Sequence, residues 1–160
     1  ESKAPLFGQA AKYAYETYGL TPVFAAVEKH LDPGAGRLAA AGLDIPHYFL
    51  DDAGSAGTII GALSRMQAVV SMRLHALIFA AGQGIPLAGV VYDPKVSSFL
   101  RYIGQENFAD LDALTPDLLK SMIDRVAAAP ISPEEQEAAV RKLRQTEQVN
   151  VETARRLLGV

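Results

Sequence analysis

The feature that most limits the fold of this chain is the alternation of short, uniformly apolar runs with stretches of helical periodicity. TPVFAAV (21–27), AVVSM (68–72) and LAGVVY (87–92) have the composition of strands that are buried on both faces. With HYFL (47–50) as a further predicted strand, the helical stretches between these runs have roughly the 10–15 residues that a crossover helix needs. This order predicts βαβ units, and therefore a Rossmann-like parallel sheet flanked by helices.

The end of the chain predicts a long helix over residues 132–158, in which Ser132 and Glu135 form a capping-box pattern. Such a helix would be about 40 Å long at about 1.5 Å per residue, which is more than a small sheet needs. Two interpretations stay open: a solvated helix laid along the domain, or a helix that crosses to a domain outside this chain. We treat residues 1–160 as one Rossmann-like domain that ends in this helix.

Composition excludes several classes of site. The net charge of −3 comes without a basic stripe, so we expect no nucleic-acid binding. The chain has no cysteine, and His30, His47 and His75 lack the spacing of metal ligands, so we expect no metal site. No apolar run approaches the roughly 20 residues of a transmembrane helix. The absence of cysteine fits a reducing compartment such as the cytoplasm.

The segment SMRLHA (71–76) puts Arg73 and His75 where a strand ends and a helix begins. Open parallel sheets bind ligands at this edge, and a helix N-terminus favours an anion. Arg73 offers a planar fork to phosphate or carboxylate oxygens, and His75 can exchange a proton near neutral pH. The structural alternative also stays open: Arg73 paired with a carboxylate at the edge of the core, and His75 partly buried and hydrogen-bonded.

Two more strand ends carry polar side chains. Asp51, Asp52 and Ser55 follow one predicted strand, and Asp93 and Lys95 follow another. Taken singly, Asp93 is a typical helix cap and Lys95 a typical solvated residue. Together with the Arg–x–His turn, these side chains line one rim of the sheet with charge, which predicts a ligand crevice.

The segment MRLHALIFAAGQGIPLAGVVYDPKV (72–96) resembles the signature block of polysaccharide pyruvyl transferases, in particular their CsaB-like branch. In that block a strand leads into M-R-L-H-A-L-I-F-A-A, then a Gly–x–Pro turn, a strand and Y-D-P-K-V, and all of these stand here in order. A weaker similarity covers about residues 6–130. Asp32, a candidate N-cap of the next helix, resembles the acidic residue that follows an earlier strand of the family.

The resemblance implies the C-terminal half of a GT-B-type transferase, with two Rossmann-like halves facing a cleft. Such enzymes transfer the pyruvyl group of phosphoenolpyruvate onto two hydroxyls of a sugar, which forms a cyclic ketal and releases phosphate. In the CsaB-like branch the acceptor is a cell-wall sugar of the N-acetylmannosamine type on a lipid-linked precursor. The ketal helps secondary cell wall polysaccharide to anchor S-layer proteins. The implied location is the cytoplasm, including the inner face of the membrane, and no cofactor is implied beyond phosphoenolpyruvate as donor substrate.

The same resemblance implies roles for individual residues. Arg73 and His75 would be catalytic, with Arg73 binding phosphoenolpyruvate. His75 would protonate the methylene carbon, assist the departing phosphate or take a proton from the sugar hydroxyl, and all three roles stay open. Leu74 would shape the pocket or offer a backbone contact. The substrate-binding residues implied in this way are Ser71, Arg73, Leu74, His75, Asp93 and Lys95.

The resemblance further implies an N-terminal half, and a strand that opens the C-terminal half, neither of which is recognisable in the sequence. We therefore expect a gap or a changed strand order in the sheet, and no turnover by the 160 residues alone. Two other functions stay open: the C-terminal domain of a nucleotide-sugar glycosyltransferase, and a non-catalytic α/β binding module. A second copy of the chain also stays open as a partner.

Overall fold

Five parallel strands and seven helices alternate in the computed structural model, which describes residues 3–128 and 132–159. The strands are β1 (Val23–Ala25), β2 (Tyr48–Leu50), β3 (Val69–Ser71), β4 (Leu87–Val91) and β5 (Phe108–Asp110). The helices are α1 (Ala4–Tyr18), α2 (Asp32–Ala40), α3 (Ala56–Leu63), α4 (Leu74–Gly82), α5 (Pro94–Tyr102), α6 (Pro116–Ala127) and α7 (Pro133–Leu158). The predicted Rossmann-like class, with parallel strands, flanking helices and a long last helix, is confirmed.

The strands form two sheets rather than one continuous sheet. β1 pairs with β2 in one sheet, and β3, β4 and β5 pair in that order in the other, with every pair parallel. Among the residues that the structure describes, no strand pairing joins β1 to β3. The expected interruption of the sheet is therefore present, and it separates the first two strands from the last three.

Hydrogen bonding shows which edge of β1 is unpaired. The N–H of Ala26 donates to the carbonyl of Leu50 at 2.8 Å, so the even-numbered residues of this segment face β2. Backbone groups alternate in direction along a strand. Val23 and Ala25 therefore direct their N–H and C=O groups away from β2.

The matching edge of β3 follows from the same alternation. The N–H of Val69 donates to the carbonyl of Pro86 at 2.9 Å, so Val69 faces β4. Val70 therefore directs its backbone N–H and C=O away from β4. β1 and β3 each present an edge on which the described chain forms no strand ladder.

The main core lies on both faces of β4. Leu87 and Val91 pack with α4 and α5 on one face, while Ala88 and Val90 pack with α1 and α6 on the other. All five residues of β4 are buried, which explains why this strand is uniformly apolar rather than alternating. At Gly89 a side chain would collide with α5, so this glycine allows the helix to lie close against the sheet.

The last helix has the predicted capping box at Ser132, and its contacts with the domain extend from its first turn to its middle. The Nε2 atom of Gln136 donates to the carbonyl of Gln83 at 2.6 Å, and the hydroxyl of Tyr102 donates to Glu147 Oε1 at 3.0 Å. No described residue of α7 is fully buried, so the helix is mostly solvated. Among the described helices, none combines the length and apolar character that a bilayer crossing requires.

A carboxylate connects α1 to α6. Asp124 Oδ1 accepts hydrogen bonds from the hydroxyls of Tyr13 and Tyr18, both at 2.7 Å. The hydrogen bond to the Asp124 carboxylate, together with desolvation, raises the pKa of Tyr18 to about 12. This contact fixes the helix layer on the face of the sheet opposite α4.

Candidate active site

The first turn of α4 presents backbone N–H groups that no side chain caps. Arg73 occupies the N-cap position in an extended conformation, and its side chain makes no capping hydrogen bond. By contrast, Ser55 caps α3 and Asp93 caps α5 with their own side chains. The N–H groups of an uncapped first turn lack intrahelical partners and carry the positive end of the helix dipole. The start of α4 is therefore suited to an anion.

Arg73 is paired with a carboxylate. Its Nε and Nη2 atoms donate to Asp32 Oδ1 at 2.8 and 2.5 Å, and 32% of the Arg73 side chain is exposed. The hydrogen bonds that Arg73 donates to Asp32 raise the pKa of Arg73 despite partial burial, and Tyr92 contributes in the same direction. The structural alternative stated above, an Arg73 paired with a carboxylate at the edge of the core, is therefore present.

Asp32 does not cap α2, so the candidate N-cap is wrong. Leu31 takes that position, and Asp32 is the first helical residue. Its Oδ2 atom accepts hydrogen bonds from the backbone N–H groups of Val27 and Glu28, at 3.0 and 2.8 Å. The carboxylate points back to the turn after β1 because two N–H groups and a guanidinium together offer it more donors than a cap would.

His75 is exposed and lines a cleft of about 310 Å³. Its ring centroid lies 6.2 Å from that of Phe79, one turn further along α4. The opposite wall is the loop between β2 and α3. The polar residues that line the cleft are Lys29, Asp51, Asp52, Ser55 and His75. The structure thus brings His75 together with the polar residues predicted at the end of β2.

The carboxylates of the cleft are held by their own loop and its neighbours. Asp51 pairs with Arg37 at 2.5 Å, and Asp52 accepts a hydrogen bond from the N–H of Gly54 at 2.8 Å. Ser55 Oγ accepts from the N–H of Thr58 at 3.2 Å. Two carboxylates in one wall disfavour a polyanion and favour a ligand rich in hydroxyl groups.

Arg73 does not line this cleft but lies next to it. Val27, whose N–H binds Asp32, is part of the cleft wall, so the Asp32–Arg73 pair connects to that wall. Ser71 Oγ accepts a hydrogen bond from the N–H of Arg73 at 3.0 Å. Leu74 is partly buried and packs against the core. Both residues thus support the turn between β3 and α4.

Asp93 and Lys95 interact with each other at the start of α5. Asp93 Oδ1 accepts a hydrogen bond from the Lys95 N–H at 2.9 Å, and Oδ2 lies 3.4 Å from the Lys95 Nζ. The backbone hydrogen bond from Lys95 lowers the pKa of Asp93. Neither residue lines the cleft of His75. The structure gives Asp93 the geometry of a helix cap.

Sequence reasoning did not identify three residues near this site. Lys29 and Phe79 line the cleft, and Tyr92 lies near the guanidinium of Arg73. Phe79 and Tyr92 lie in the segment 72–96, but a lysine, a phenylalanine on an apolar helix and a tyrosine at a strand end are common in such positions, so no role was assigned to them. In the described parts of the chain, no group of three or more acidic, histidine or cysteine side chains is arranged to hold a metal ion.

Comparison with known protein families identifies a match. A family model described as polysaccharide pyruvyl transferase matches residues 10–94, which is more than half of the 160 residues. The matched range contains both β1 and β3, the Asp32–Arg73 pair and every residue that lines the cleft of His75. No curated protein and no solved structure matches the chain.

Proposed function

The chain belongs to the polysaccharide pyruvyl transferase family, and we propose that it is the half of such an enzyme that binds the donor phosphoenolpyruvate. The family agrees with the resemblance found in the sequence, and we propose the CsaB-like branch within it. The donor lies at the start of α4, beside Arg73 and His75. The matching N-terminal half completes the active site and is needed for turnover.

The charges of the donor suit the start of α4. Phosphoenolpyruvate carries a phosphate and a carboxylate, and the uncapped first turn offers N–H groups at the positive end of a helix. A guanidinium has five N–H groups, and the bonds to Asp32 use two of those on Arg73. We propose that N–H groups not used by Asp32 bind phosphate or carboxylate oxygens, with Tyr92 close to the same guanidinium.

His75 is proposed as the group that moves protons. A proton adds to the methylene carbon of phosphoenolpyruvate, and a sugar hydroxyl bonds to the neighbouring carbon and loses its proton. The bond from that carbon to the phosphate oxygen then breaks. A second hydroxyl closes the ketal and releases a second proton. The exposed imidazole of His75 can give or accept one of these protons, because imidazole acts as either a general acid or a general base.

The cleft of His75 is proposed as the acceptor site. Its Asp51, Asp52 and Ser55 offer oxygens to hydroxyl groups, and Phe79 offers an apolar surface to a sugar ring. We propose a cell-wall sugar of the N-acetylmannosamine type, including one carried on a lipid at the inner face of the membrane. The product would be a secondary cell wall polysaccharide whose ketal carboxylates help to anchor S-layer proteins. The proposed reaction takes place in the cytoplasm and uses no cofactor.

One observation carries the proposal: an uncapped helix start follows a parallel strand, with Arg73 just before it and an exposed His75 in its first turn. Isothermal titration of the chain with phosphoenolpyruvate tests it, with a uridine diphosphate sugar as the comparison ligand. We expect phosphoenolpyruvate to bind and Arg73→Ala to weaken the binding. Binding of the nucleotide sugar alone would favour a glycosyltransferase half, and binding of neither ligand would favour a non-catalytic module.

A further inference from the structure

Both oxygens of the Asp32 carboxylate, which holds Arg73, accept hydrogen bonds. Asp32 Oδ1 accepts two hydrogen bonds from Arg73, and Oδ2 accepts one from the N–H of Val27 and one from that of Glu28. Only 13% of the Asp32 side chain is exposed. Hydrogen bonds to an ionised group are short and about twice as strong as neutral ones. Four such donors hold the carboxylate in one position.

The pair also joins two parts of the fold that share no strand pairing. Asp32 begins the helix after β1, and Arg73 directly precedes the helix after β3. The strands themselves belong to different sheets. Because Val27 contributes to the cleft wall, the pair sets the position of that wall relative to the start of α4.

We propose that Asp32 is a positioning residue, which orients the guanidinium of Arg73 so that its remaining N–H groups face the donor anion at the first turn of α4. This inference rests on the proposed function for the identity of the anion. The bonds from Nε and Nη2 to one oxygen fix the plane of the guanidinium. An arginine whose fork is already held loses less side-chain freedom when it binds an anion.

The Asp32 carboxylate also has an effect that weakens anion binding, opposite to the effect of orienting the guanidinium. Its negative charge repels an incoming anion. If repulsion dominated, removing the charge of Asp32 would strengthen phosphoenolpyruvate binding. We infer that orientation dominates, because four donors already compensate the charge of Asp32. The sign of the change in affinity therefore distinguishes the two effects.

Titration of the full chain with phosphoenolpyruvate provides the test. In Asp32→Asn one acceptor oxygen becomes an NH₂ group, which cannot accept from Arg73 or from the backbone N–H groups of the turn. We expect the Kd to rise about tenfold or more, the range of a lost charge-assisted contact. Asp44→Asn is the matched control, because it removes a carboxylate from the exposed ion pair with Lys12. We expect that variant to bind as the wild type does.

A double-mutant cycle shows whether Asp32 acts through Arg73. Arg73→Lys keeps the charge but removes the fork. In the Arg73→Lys background, Asp32→Asn should weaken binding by much less than it does in the wild type. Equal effects of Asp32→Asn in both backgrounds would show that it acts by another route and would overturn the inference.

A spectroscopic measurement tests the positioning without any ligand. We expect the Arg73 Nε–H to exchange slowly with water in the wild type and much faster in Asp32→Asn, as followed by nuclear magnetic resonance. Unchanged exchange, or binding of phosphoenolpyruvate by Asp32→Asn that is as tight as in the wild type or tighter, would overturn the inference. A wild-type chain that does not bind phosphoenolpyruvate would instead contradict the proposed function, while the exchange comparison would still decide whether Asp32 orients Arg73.

Discussion

Asp32 and Arg73 are 41 residues apart in the sequence, and two nitrogens of the guanidinium donate to one oxygen of the carboxylate. The contact links the carboxyl ends of β1 and β3, which belong to separate sheets. It therefore combines a structural role, holding the two sheets together, with a position beside the candidate donor site.

The structural role predicts a loss of stability in Arg73→Ala. The variant leaves a mostly buried Asp32 with two backbone N–H partners and no counter-charge. We expect the free energy of unfolding, measured in urea, to fall by about 1–3 kcal/mol, the range for a lost hydrogen bond to a charged group. Arg101→Ala is the control, because Arg101 is exposed on α5. Equal losses in the two variants would mean that the Asp32 contact adds nothing to stability.

His75→Ala should reduce turnover without reducing stability. A general acid or base contributes about 10²–10⁴-fold to kcat, whereas an exposed side chain contributes little to folding. Steady-state kinetics in the presence of the N-terminal half should show a fall in kcat with a smaller change in KM for phosphoenolpyruvate. His30→Ala, another exposed histidine, should leave both constants unchanged. A large fall in melting temperature for His75→Ala would identify His75 as a structural residue instead.

Two substitutions of Asp93 separate a helix cap from a ligand contact. Asn caps helices about as well as Asp but lacks the charge, whereas Ala cannot cap. If Asp93 acts only as a cap, Asp93→Asn keeps both stability and phosphoenolpyruvate binding, and Asp93→Ala lowers the melting temperature by roughly 2–4 °C. Calorimetry and titration measure the two properties. Altered affinity in Asp93→Asn, with unchanged stability, would assign Asp93 to the ligand site.

The raised pKa of Tyr18 predicts that the folded chain loses stability at alkaline pH. The pKa of Tyr18 is raised to about 12 in the folded chain by the hydrogen bond to Asp124, against about 10 in an unfolded chain. The contribution of this raised pKa to the free energy of unfolding is complete below about pH 10. It is lost as the pH rises towards 12, because the unfolded state releases the tyrosine proton first.

Urea midpoints measured between pH 8 and 11 check this prediction. We expect them to fall more steeply in the wild type than in Tyr18→Phe, which lacks the ionisable group. Tyr48→Phe is the control, since the Tyr48 side chain is largely exposed. If the urea midpoints of the wild type and Tyr18→Phe changed in parallel with pH, the contact with Asp124 would not raise the pKa of Tyr18.

The unpaired edges of β1 and β3 predict a contrast in amide exchange between neighbouring residues. The N–H groups of Ala26 and Val69 are hydrogen-bonded to adjacent strands, while those of Ala25 and Val70 point away from them. In the 160-residue chain we expect Ala25 and Val70 to exchange much faster than their neighbours, as measured by nuclear magnetic resonance. Similar protection of all four amides would mean that another strand, for example from a second copy, pairs with these edges.

Local patterns allowed most elements to be predicted because each depends on residues close in sequence. The apolar runs predicted the strands, and Asp93 and Ser132, both expected as capping residues, cap the helices that they precede. The cleft was predicted in part for the same reason, since strand ends of a parallel sheet share one edge.

The role of Asp32 could not be predicted from local pattern. Its position before a helical segment indicates a cap, and only the tertiary structure shows that two backbone N–H groups and a distant guanidinium bind the carboxylate together. The same reasoning applies to Lys29 and Phe79, which reach the cleft from different elements. Contacts over such sequence distances depend on how the sheets are arranged. The hydrophobic periodicity of a single segment gives no information about that arrangement.

The most direct test of the donor site is a crystal structure of the chain soaked with phosphoenolpyruvate. We predict phosphate density against the backbone N–H groups of the first turn of α4, within hydrogen-bond distance of Arg73 and with His75 beside the ligand. Density for the ligand at another site, such as Lys95, with the start of α4 unchanged, would contradict the account.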